Sequence, residues 1–319
     1  MTIAADPAGK RQEARRGTPR PAQAGAVPLR THPPIQLVAL DLDGTILERG
    51  QHIRSAVVQA LQALSARGIR WTTATGRPLA FQLEQLQQHG LGPGAATPAA
   101  LMVDERELFL CAMPNAERGA EGNGADVPSY QPHAAWNSGV RVRWHTLHPF
   151  AMAWLDRAHD EAAGRGWPAS LHLSEVEAAA RGLPTLQLEQ PAQAAAICDW
   201  LAEQLAASAP ALACNRNVRL VQLHDVHVGK GPVLAELARL WNIPAAQVLA
   251  IGDSHNDLSM LDDRFGFQVA TVGNADEHIK ALVTQRGGYV ADGVAGEGVL
   301  QAFAAYGLSD REGRDERNC

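Results

Sequence analysis

Two short acidic motifs stand where predicted strands end, far apart along the chain. They read DLDGT over 41–45 and GDSHND over 252–257. Carboxylates serve as nucleophiles, as general acids and bases, and as hard oxygen ligands for magnesium. Either motif alone is also compatible with an ordinary turn or a helix cap. Their chemical meaning therefore depends on the other polar residues that the fold brings to the same place.

Two further signals supply groups that can bind a phosphate. Thr75 ends a predicted strand, where its hydroxyl and the backbone amides that follow, including that of Gly76, can contact phosphate oxygens. Lys230 precedes a predicted helix and offers a compact positive charge. Arg77 is compatible with a loop anchor or with a residue that reaches substrate, and His255 with an ordinary packed or solvent-facing residue, so both stay outside the predicted catalytic set. Together these residue types fit phosphoryl transfer, in which charge must be neutralised and the reactants held in line.

The pattern of apolar residues predicts the elements that must position these groups. The nearly continuous apolar run over 35–40 is typical of a parallel strand covered on both faces. Helices and strands alternate after it, and the alternation resumes towards the C-terminal end. This indicates a parallel α/β sheet that is split in the sequence. The further elements predicted for this sheet are helices over 55–67, 78–89, 232–241 and 275–283 and strands over 69–74, 248–251 and 267–272.

The middle of the chain has a different pattern and is predicted to be an inserted α+β domain. Residues 115–137 are rich in Gly, Pro, Ala and polar residues with little periodicity, which predicts a long surface loop. The other elements predicted here are extended runs over 101–103, 140–144 and 185–188 and helices over 149–163 and 191–207.

The predicted architecture is a doubly wound parallel-sheet α/β core with an inserted α+β cap domain. Its active site is expected at the carboxyl ends of the strands, where open α/β sheets bind ligands. The residues before 35 are rich in Ala, Pro, Gly and Arg and have no period that would form a buried face, which predicts a disordered arm. The expected boundaries are 1–34 for this arm, 35–96 and 226–306 for the core, 97–225 for the cap and 307–319 for a charged tail.

In their order along the chain, the four motifs resemble those of the haloacid dehalogenase superfamily. The large insertion after the second motif resembles the Cof-like type IIB branch. The resemblance spans 36–303 and is weaker in the cap, where no substrate signature is evident. It implies that Asp41 is the nucleophile, which forms an aspartyl-phosphate, and that Asp43 acts first as general acid and then as general base.

The same resemblance implies a magnesium ion as cofactor. Its implied ligands are Asp41, the backbone carbonyl of Asp43, and Asp253, with Asp257 bound directly or through water. Such an ion would offset the repulsion between these carboxylates and the phosphate. Asn256 is expected to orient the acidic loop in a supporting role.

Composition and charge argue against several other classes of protein. A net charge of −6 and a pI near 6.0 do not fit a nucleic-acid binder, because such proteins need a basic surface. The four cysteines have no spacing typical of a zinc site or a disulfide scaffold, which favours a reducing cytoplasm. No apolar run approaches the ~20 residues needed to cross a bilayer. The expected partner is a small phosphorylated metabolite, without nucleic acid, a membrane or an obligatory protein partner.

The expected function is magnesium-dependent hydrolysis of phosphomonoesters of small metabolites, with sugar phosphates favoured because similar capped enzymes often use them. A phosphomutase of related fold and a non-catalytic phosphometabolite-binding regulator remain alternatives. In the cap, the alternation over 140–145 is compatible with a strand that places Arg141, Arg143 and His145 on one face. That face could bind a second anionic or polyhydroxyl group of the substrate, or be a basic edge that faces solvent.

Overall fold

The computed structural model describes residues 33–48, 50–92, 96–112, 129–172 and 183–309. The predictions of a disordered arm and a charged tail fall almost entirely outside these ranges and stay predictions. None of the described helices has both the length and the apolar character that crossing a bilayer requires.

One large sheet has its centre at β1 (Leu37–Leu40), which pairs in parallel with β10 (Val248–Gly252) on one side and β2 (Arg70–Ala74) on the other. All four β1 residues are buried, as the apolar run predicts for a strand covered on both faces. The strand order across this sheet is β12 (Tyr289–Val290), β11 (Gln268–Thr271), β10, β1, β2, β3 (Ala100–Val103), β4 (Glu107–Ala112) and β5 (Ser129–Pro132). Among these described strands, the six from β12 to β3 pair in parallel, whereas β4 pairs antiparallel with β3 and β5 antiparallel with β4.

Helices pack on this sheet through apolar residues at helical spacing. In α1 (Ser55–Ala66) the buried positions are Val57, Leu61 and Leu64, which match the predicted period. Helices and strands together form one hydrophobic cluster. The other helices that contribute to it are α2 (Leu79–Gln88), α5 (Lys230–Leu240), α6 (Leu258–Leu261), α7 (Glu277–Gln285) and α8 (Gly296–Ala305), and single turns of 3-10 helix lie at Ala245–Gln247 and His255–Asp257.

A second, antiparallel sheet is built from the inserted segment. Burial alternates along its strand β9 (Leu220–Asp225), where Val221 and Leu223 are buried while Leu220 and Gln222 are half-buried. One face therefore packs with two long helices into a separate hydrophobic cluster, and the other face is available for polar contacts. In sheet order the strands are β6 (Ala169–His172), β7 (Thr185–Leu188), β9 and β8 (Leu212–Asn217), and the helices are α3 (Ala134–Gly164) and α4 (Pro191–Ser208).

The strand predicted over 140–144, and with it the shared strand face of Arg141, Arg143 and His145, is wrong, because these residues lie inside α3. The same helix continues through Pro149, where a helix was predicted to begin. The alternation of Val and Arg matches a strand only locally, whereas burial along the whole segment follows the helical repeat, so tertiary packing decides the structure. The buried positions that show this repeat are Val140, Trp144, Ala151, Leu155, Ala158 and Ala162.

Two other expectations for the inserted segment are corrected. The strand predicted over 101–103 is present as β3, but it pairs with β2 in the large sheet, and β4 and β5 follow it there. The large sheet continues beyond residue 96, where the first core segment was expected to end, because α2 is a crossover that lets β3 pair in parallel with β2. A tight turn then allows β4 to pair antiparallel with β3. The long loop predicted over 115–137 lies partly outside the described residues, and its last part forms β5 and the start of α3.

We predict opposite stability changes when two helical glycines are replaced by alanine. A Cβ atom at Gly231 in α5 would lie 1.8 Å from the carbonyl oxygen of Ser259. Gly231→Ala should therefore lower the free energy of unfolding by about 2 kcal/mol or more. At Gly139, inside α3, the nearest contact of a Cβ would be an ordinary 3.6 Å. Gly139→Ala should raise stability by about 0.5–1 kcal/mol. Urea unfolding curves measure both, and an unchanged midpoint for Gly231→Ala would contradict the described packing of α5.

Candidate active site

Three strand ends meet at one edge of the large sheet. Asp41 follows β1, Thr75 follows β2, and Asp253 follows β10. Since β1 lies between the other two strands, this edge is the switch point at which open α/β sheets bind ligands. A cavity of about 680 Å³ opens here, and all three residues belong to its lining. The structure thus brings the two acidic motifs and the threonine together, as the strand-end argument predicts.

Three carboxylates cluster at this edge: those of Asp41, Asp253 and Asp257. Each offers one oxygen, and these atoms lie within 4.8 Å of one another. Hard oxygen donors at this spacing fit a divalent cation such as magnesium. Oγ1 of Thr45 donates a 3.0 Å hydrogen bond to Oδ1 of Asp253, which orients that carboxylate.

Lys230 is the counter-ion of the acidic cluster. Its Nζ donates hydrogen bonds of 2.7 Å to Oδ1 of Asp41 and 2.6 Å to Oδ1 of Asp257, and its side chain is completely buried. Burial alone would lower the pKa of Lys230, but the carboxylates of Asp257 and Asp41 outweigh burial and raise it above its ordinary value. The predicted phosphate-binding lysine therefore lies inside the cluster, where its neighbours favour its charged form.

The carboxyl groups are also shifted by their surroundings. Burial raises the pKa of Asp41 well above its usual range, although the positive charge of Lys230 opposes the change. Burial, together with the negative charge of Asp257, raises the pKa of Asp253 to about 7. One lysine does not balance three carboxylates, and a bound divalent cation would stabilise their charged forms.

Asp257 also shapes the acidic loop. Its Oδ2 accepts hydrogen bonds from the backbone N–H groups of Asp253 and Ser254, both at 2.9 Å. Gly252 leaves the space that this requires, because a Cβ atom there would lie 2.4 Å from Cγ of Asp257. The same carboxylate that pairs with Lys230 therefore fixes the backbone that presents Asp253.

Asp43 is not part of this cluster of described acids, and its side chain is about half exposed. Both of its oxygens accept 2.8 Å hydrogen bonds from the guanidinium of Arg77. That guanidinium also lies over the ring of Phe81, 4.6 Å from its centre. The sequence left open whether Arg77 only anchors a loop, and the structure places it in the cavity lining, in contact with the predicted general acid.

The loop that follows β2 is held by a buried glutamine. Oγ1 of Thr75 accepts a 3.2 Å hydrogen bond from the backbone N–H of Arg77, and Nε2 of Gln82 donates one of 2.8 Å to the carbonyl oxygen of Arg77. Sequence reasoning missed Gln82. The available signal was its spacing, because it lies three residues after Leu79 and four before Leu86, on the apolar face of α2.

Asn256 occupies the cavity lining together with two residues that sequence reasoning did not identify. Its Nδ2 donates a 2.7 Å hydrogen bond to Oε1 of Glu105, which lies in the turn between β3 and β4. Asn215 of β8 also contacts Glu105 and lines the same cavity. A charged residue in a hairpin turn and an amide on a strand carry no sequence signal that separates them from ordinary surface residues.

The two arginines proposed for the cap are absent from the described lining of the cavity. Arg143 donates a 2.7 Å hydrogen bond to Oδ2 of Asp225, and Arg141 donates one of 3.1 Å to Oε1 of Glu107. The expected substrate contact depended on a strand that is a helix, so this assignment is corrected. Both guanidinium groups already have carboxylate partners.

A family model for haloacid dehalogenase-like hydrolases matches residues 38–98 and 188–302, more than half of the chain. The chain belongs to this family. The resemblance drawn from the four motifs is confirmed at this level. The matched segments of this haloacid dehalogenase-like hydrolase contain Asp41, Lys230 and Asp253.

Curated relatives of this hydrolase include phosphoglycolate phosphatases. The one from Methanosarcina acetivorans is 35% identical over 83 residues, which are 26% of this chain and 34% of that protein. The one from Methanoculleus marisnigri is 23% identical over 276 residues, which are 85% of this chain and 97% of that protein. The first of these matches spans only about a third of the relative's length and bears on that segment alone.

Solved structures show that this hydrolase shares its fold with two sugar phosphatases. A sucrose-phosphatase from Synechocystis sp. PCC6803, in complex with sucrose and phosphate, has a TM-score of 0.62 at 20% identity and covers 86% of this chain and 98% of its own. A HAD subclass IIB sugar phosphatase has a TM-score of 0.52 at 18% identity and covers 86% and 100%. The predicted fold class is confirmed.

We predict that Lys230→Met destabilises the protein in the presence of a chelator, because it leaves the buried Asp41 and Asp257 without their counter-ion. Removal of one partner from a buried ion pair costs about 3–5 kcal/mol. Lys280 forms an exposed pair with Glu277, and Lys280→Met is the matched control, with an expected change below about 0.5 kcal/mol. Thermal and urea unfolding measure both variants, and equally small changes would show that Lys230 does not hold the cluster.

Proposed function

We propose that this protein hydrolyses phosphomonoesters of small metabolites, with magnesium as cofactor and an aspartyl-phosphate on Asp41 as intermediate. The observation that carries the proposal is the contact of buried Lys230 with Asp41 and Asp257, beside Asp253, at the switch point of the sheet. A phosphomonoester dianion repels nucleophiles, so its hydrolysis needs positive charge and a fixed nucleophile in the same place. This cluster supplies both requirements.

The proposed reaction divides the work between two aspartates. The carboxylate of Asp41 attacks the phosphorus, and the bond from phosphorus to the leaving alcohol breaks. Asp43 gives a proton to the alcohol oxygen and then takes one from the water that attacks the phosphorus of the aspartyl-phosphate. The bond from phosphorus to the Asp41 oxygen breaks in this second step, which releases inorganic phosphate and restores the carboxylate. Because Arg77 binds both oxygens of Asp43, at least one of these hydrogen bonds must open before Asp43 transfers a proton.

Phosphate oxygens are proposed to bind between the loop after β2 and Lys230. The Thr75 hydroxyl and the Gly76 backbone amide would donate to them, while the ammonium of Lys230 stabilises their charge. Gly76 has little room for a side chain, because a Cβ atom there would lie 3.2 Å from Oε1 of Glu105. A small residue at this position therefore keeps the loop open to a ligand.

The carboxylates fit the implied magnesium ion. Asp41, Asp253 and Asp257 bring hard oxygen atoms within 4.8 Å of one another, and the backbone carbonyl of Asp43 remains a predicted further ligand. When bound, magnesium would neutralise charge on the phosphoryl oxygens. Burial and the neighbouring acids raise the pKa values of Asp41 and Asp253, and a cation bound by these carboxylates would favour their charged forms.

Sugar phosphates are the proposed substrate class. Asn215 of β8 and Gln222 of β9 are register partners, so two amides lie side by side on the second sheet. Amides both donate and accept hydrogen bonds, which suits the hydroxyl groups of a sugar, and the cavity volume suits a small metabolite. The sugar phosphatases of the same fold support this class, whereas the glycolate ester named for the relatives carries a carboxylate. The lining residues that come from the second sheet and from the segments beside its strands are uncharged: Leu183, Asn215, Val218, Leu220 and Gln222.

Asp41→Asn is expected to abolish turnover and retain the fold, because an amide of nearly the same volume is not a nucleophile. Phosphate release from glucose 6-phosphate or p-nitrophenyl phosphate should fall at least about a thousandfold. Asp262→Asn, which removes only an exposed pair with Arg264, is the matched control and should keep the wild-type rate. Circular dichroism verifies the fold. Phosphate release by Asp41→Asn within tenfold of wild type would eliminate Asp41 as nucleophile.

Removal of divalent cations with EDTA is expected to stop phosphate release, and added magnesium should restore it. Asp253→Ala should raise the magnesium concentration for half-maximal activity at least about tenfold, because it removes one of the clustered oxygen donors. Calorimetric titration with magnesium provides a measurement that does not depend on turnover. Full activity in excess chelator would rule out the metal assignment.

A further inference from the structure

The turn between β3 and β4 has an unusual backbone for its sequence. Asp104 and Glu105 both have positive φ, at 51° and 56°, and the backbone N–H of Arg106 closes the turn with a 3.1 Å hydrogen bond to the carbonyl oxygen of Val103. Glycine and asparagine adopt two consecutive left-handed positions readily, whereas glutamate does not. A glutamate that is held in this conformation needs contacts that compensate for it.

The side chain of Glu105 makes such contacts with two separate parts of the molecule. Its Oε1 accepts a 2.7 Å hydrogen bond from Nδ2 of Asn256 in the acidic loop, and its Oε2 accepts one of 3.1 Å from Nδ2 of Asn215 on β8. Its backbone N–H also donates a 3.0 Å hydrogen bond to the carbonyl oxygen of Thr75. One residue therefore joins the acidic loop, the phosphate-binding loop and the second sheet.

Both asparagine side chains are oriented towards this carboxylate by other contacts. Oδ1 of Asn215 accepts a 2.8 Å hydrogen bond from the backbone N–H of Arg216, and Oδ1 of Asn256 accepts one of 2.5 Å from Oγ of Ser254. Each amide is thus left with its NH₂ group facing Glu105. A carboxylate, which only accepts, complements two donors, whereas an amide at position 105 could satisfy only one of them.

We propose that Glu105 is a positioning residue that couples the second sheet to the acidic loop and so makes catalysis sensitive to the hydroxyl groups of the leaving group. A sugar that hydrogen-bonds the amides of the second sheet restrains Asn215, and Glu105 passes this restraint to Asn256. A substrate without hydroxyl groups gains nothing from the connection. The inference rests on the proposed phosphatase function and extends it to the choice of substrate.

A purely structural role for Glu105 has a different consequence. If the residue served only to stabilise the turn, its replacement would lower stability and would affect all substrates alike. Asparagine tolerates the left-handed conformation better than glutamate and is too short to span both amides. Glu105→Asn therefore removes the connection while it favours the turn. The unfolding temperature should not fall, whereas kcat/KM on hexose phosphates should.

The test measures kcat and KM of the full chain with magnesium for two kinds of substrate. The probes with hydroxyl groups are the 6-phosphates of glucose, mannose and fructose, and the probe whose leaving group has no free hydroxyl is p-nitrophenyl phosphate. For Glu105→Asn we expect kcat/KM to fall at least tenfold on the best hexose phosphate and to stay within threefold on p-nitrophenyl phosphate. The unfolding temperature should equal or exceed that of wild type. Glu105→Gln, which nearly preserves volume and keeps one acceptor, should show an intermediate loss.

Two further variants make the result specific. Glu107→Gln alters a neighbouring carboxylate on β4 that pairs with Arg141 and is absent from the described cavity lining, and it should behave as wild type. Asn215→Ala should reduce hexose phosphate turnover as Glu105→Asn does. The double variant should lose little more than Asn215→Ala alone, because that change already breaks the connection along with a direct substrate contact.

The outcomes separate this inference from the function on which it rests. Wild-type protein that releases phosphate from none of the probes would overturn the proposed function. Activity on p-nitrophenyl phosphate without any on the hexose phosphates would overturn the substrate class and, with it, this inference. If wild type is active on both kinds of probe, three results would overturn the role of Glu105 and leave the proposed function intact. These are an equal loss of kcat/KM on both probes for Glu105→Asn, no loss on either, or a double variant whose loss is the product of the losses of Glu105→Asn and Asn215→Ala.

Discussion

A single buried ammonium group determines how the catalytic half of this molecule must fold. Lys230 has no access to water, so its charge is tolerated only if carboxylates surround it. Those carboxylates come from the end of the central strand and from the acidic loop, two segments far apart in sequence. Helix α5, strand β1 and the acidic loop are therefore fixed relative to one another, because a shift of any one would leave a buried charge without its partner.

The sheet provides this arrangement with a rigid support. Strand β1 is buried along its whole length and pairs with β10 on one side and β2 on the other. Asp41 therefore directly follows a firmly held stretch of backbone. The second sheet belongs to a different hydrophobic cluster, and its polar face supplies the uncharged part of the cavity. The groups proposed for bond breaking and those proposed for substrate selection thus lie on separate scaffolds, which can vary independently in sequence.

The parts that were predictable from the sequence are those with a local cause. Continuous apolar runs indicated the parallel strands, and acidic residues at their ends indicated where a site would form, because parallel strands share one carboxyl edge. The first half of helix α3 was missed, since four residues that alternate Val and Arg have a strand period while their burial is decided by a helix of 31 residues. Glu105 and Asn215 contact each other across 110 residues of the chain, and no local pattern indicates such a contact. Gln82 has a local partner in Arg77, and its spacing on α2 was the one signal that could have identified it.

The paired hydrogen bonds between Arg77 and Asp43 imply that the carboxyl group of Asp43 already has a partner when substrate arrives. The proposed general acid is masked by a guanidinium, and a bare carboxylate at the mouth of an acidic cavity would itself repel phosphate esters. An incoming phosphate dianion is a strong competing partner for arginine, since the guanidinium fork matches phosphate geometry as well as it matches a carboxylate. Arrival of the substrate would then be an exchange of ionic partners, in which the ligand unmasks the group that is to protonate its own leaving oxygen.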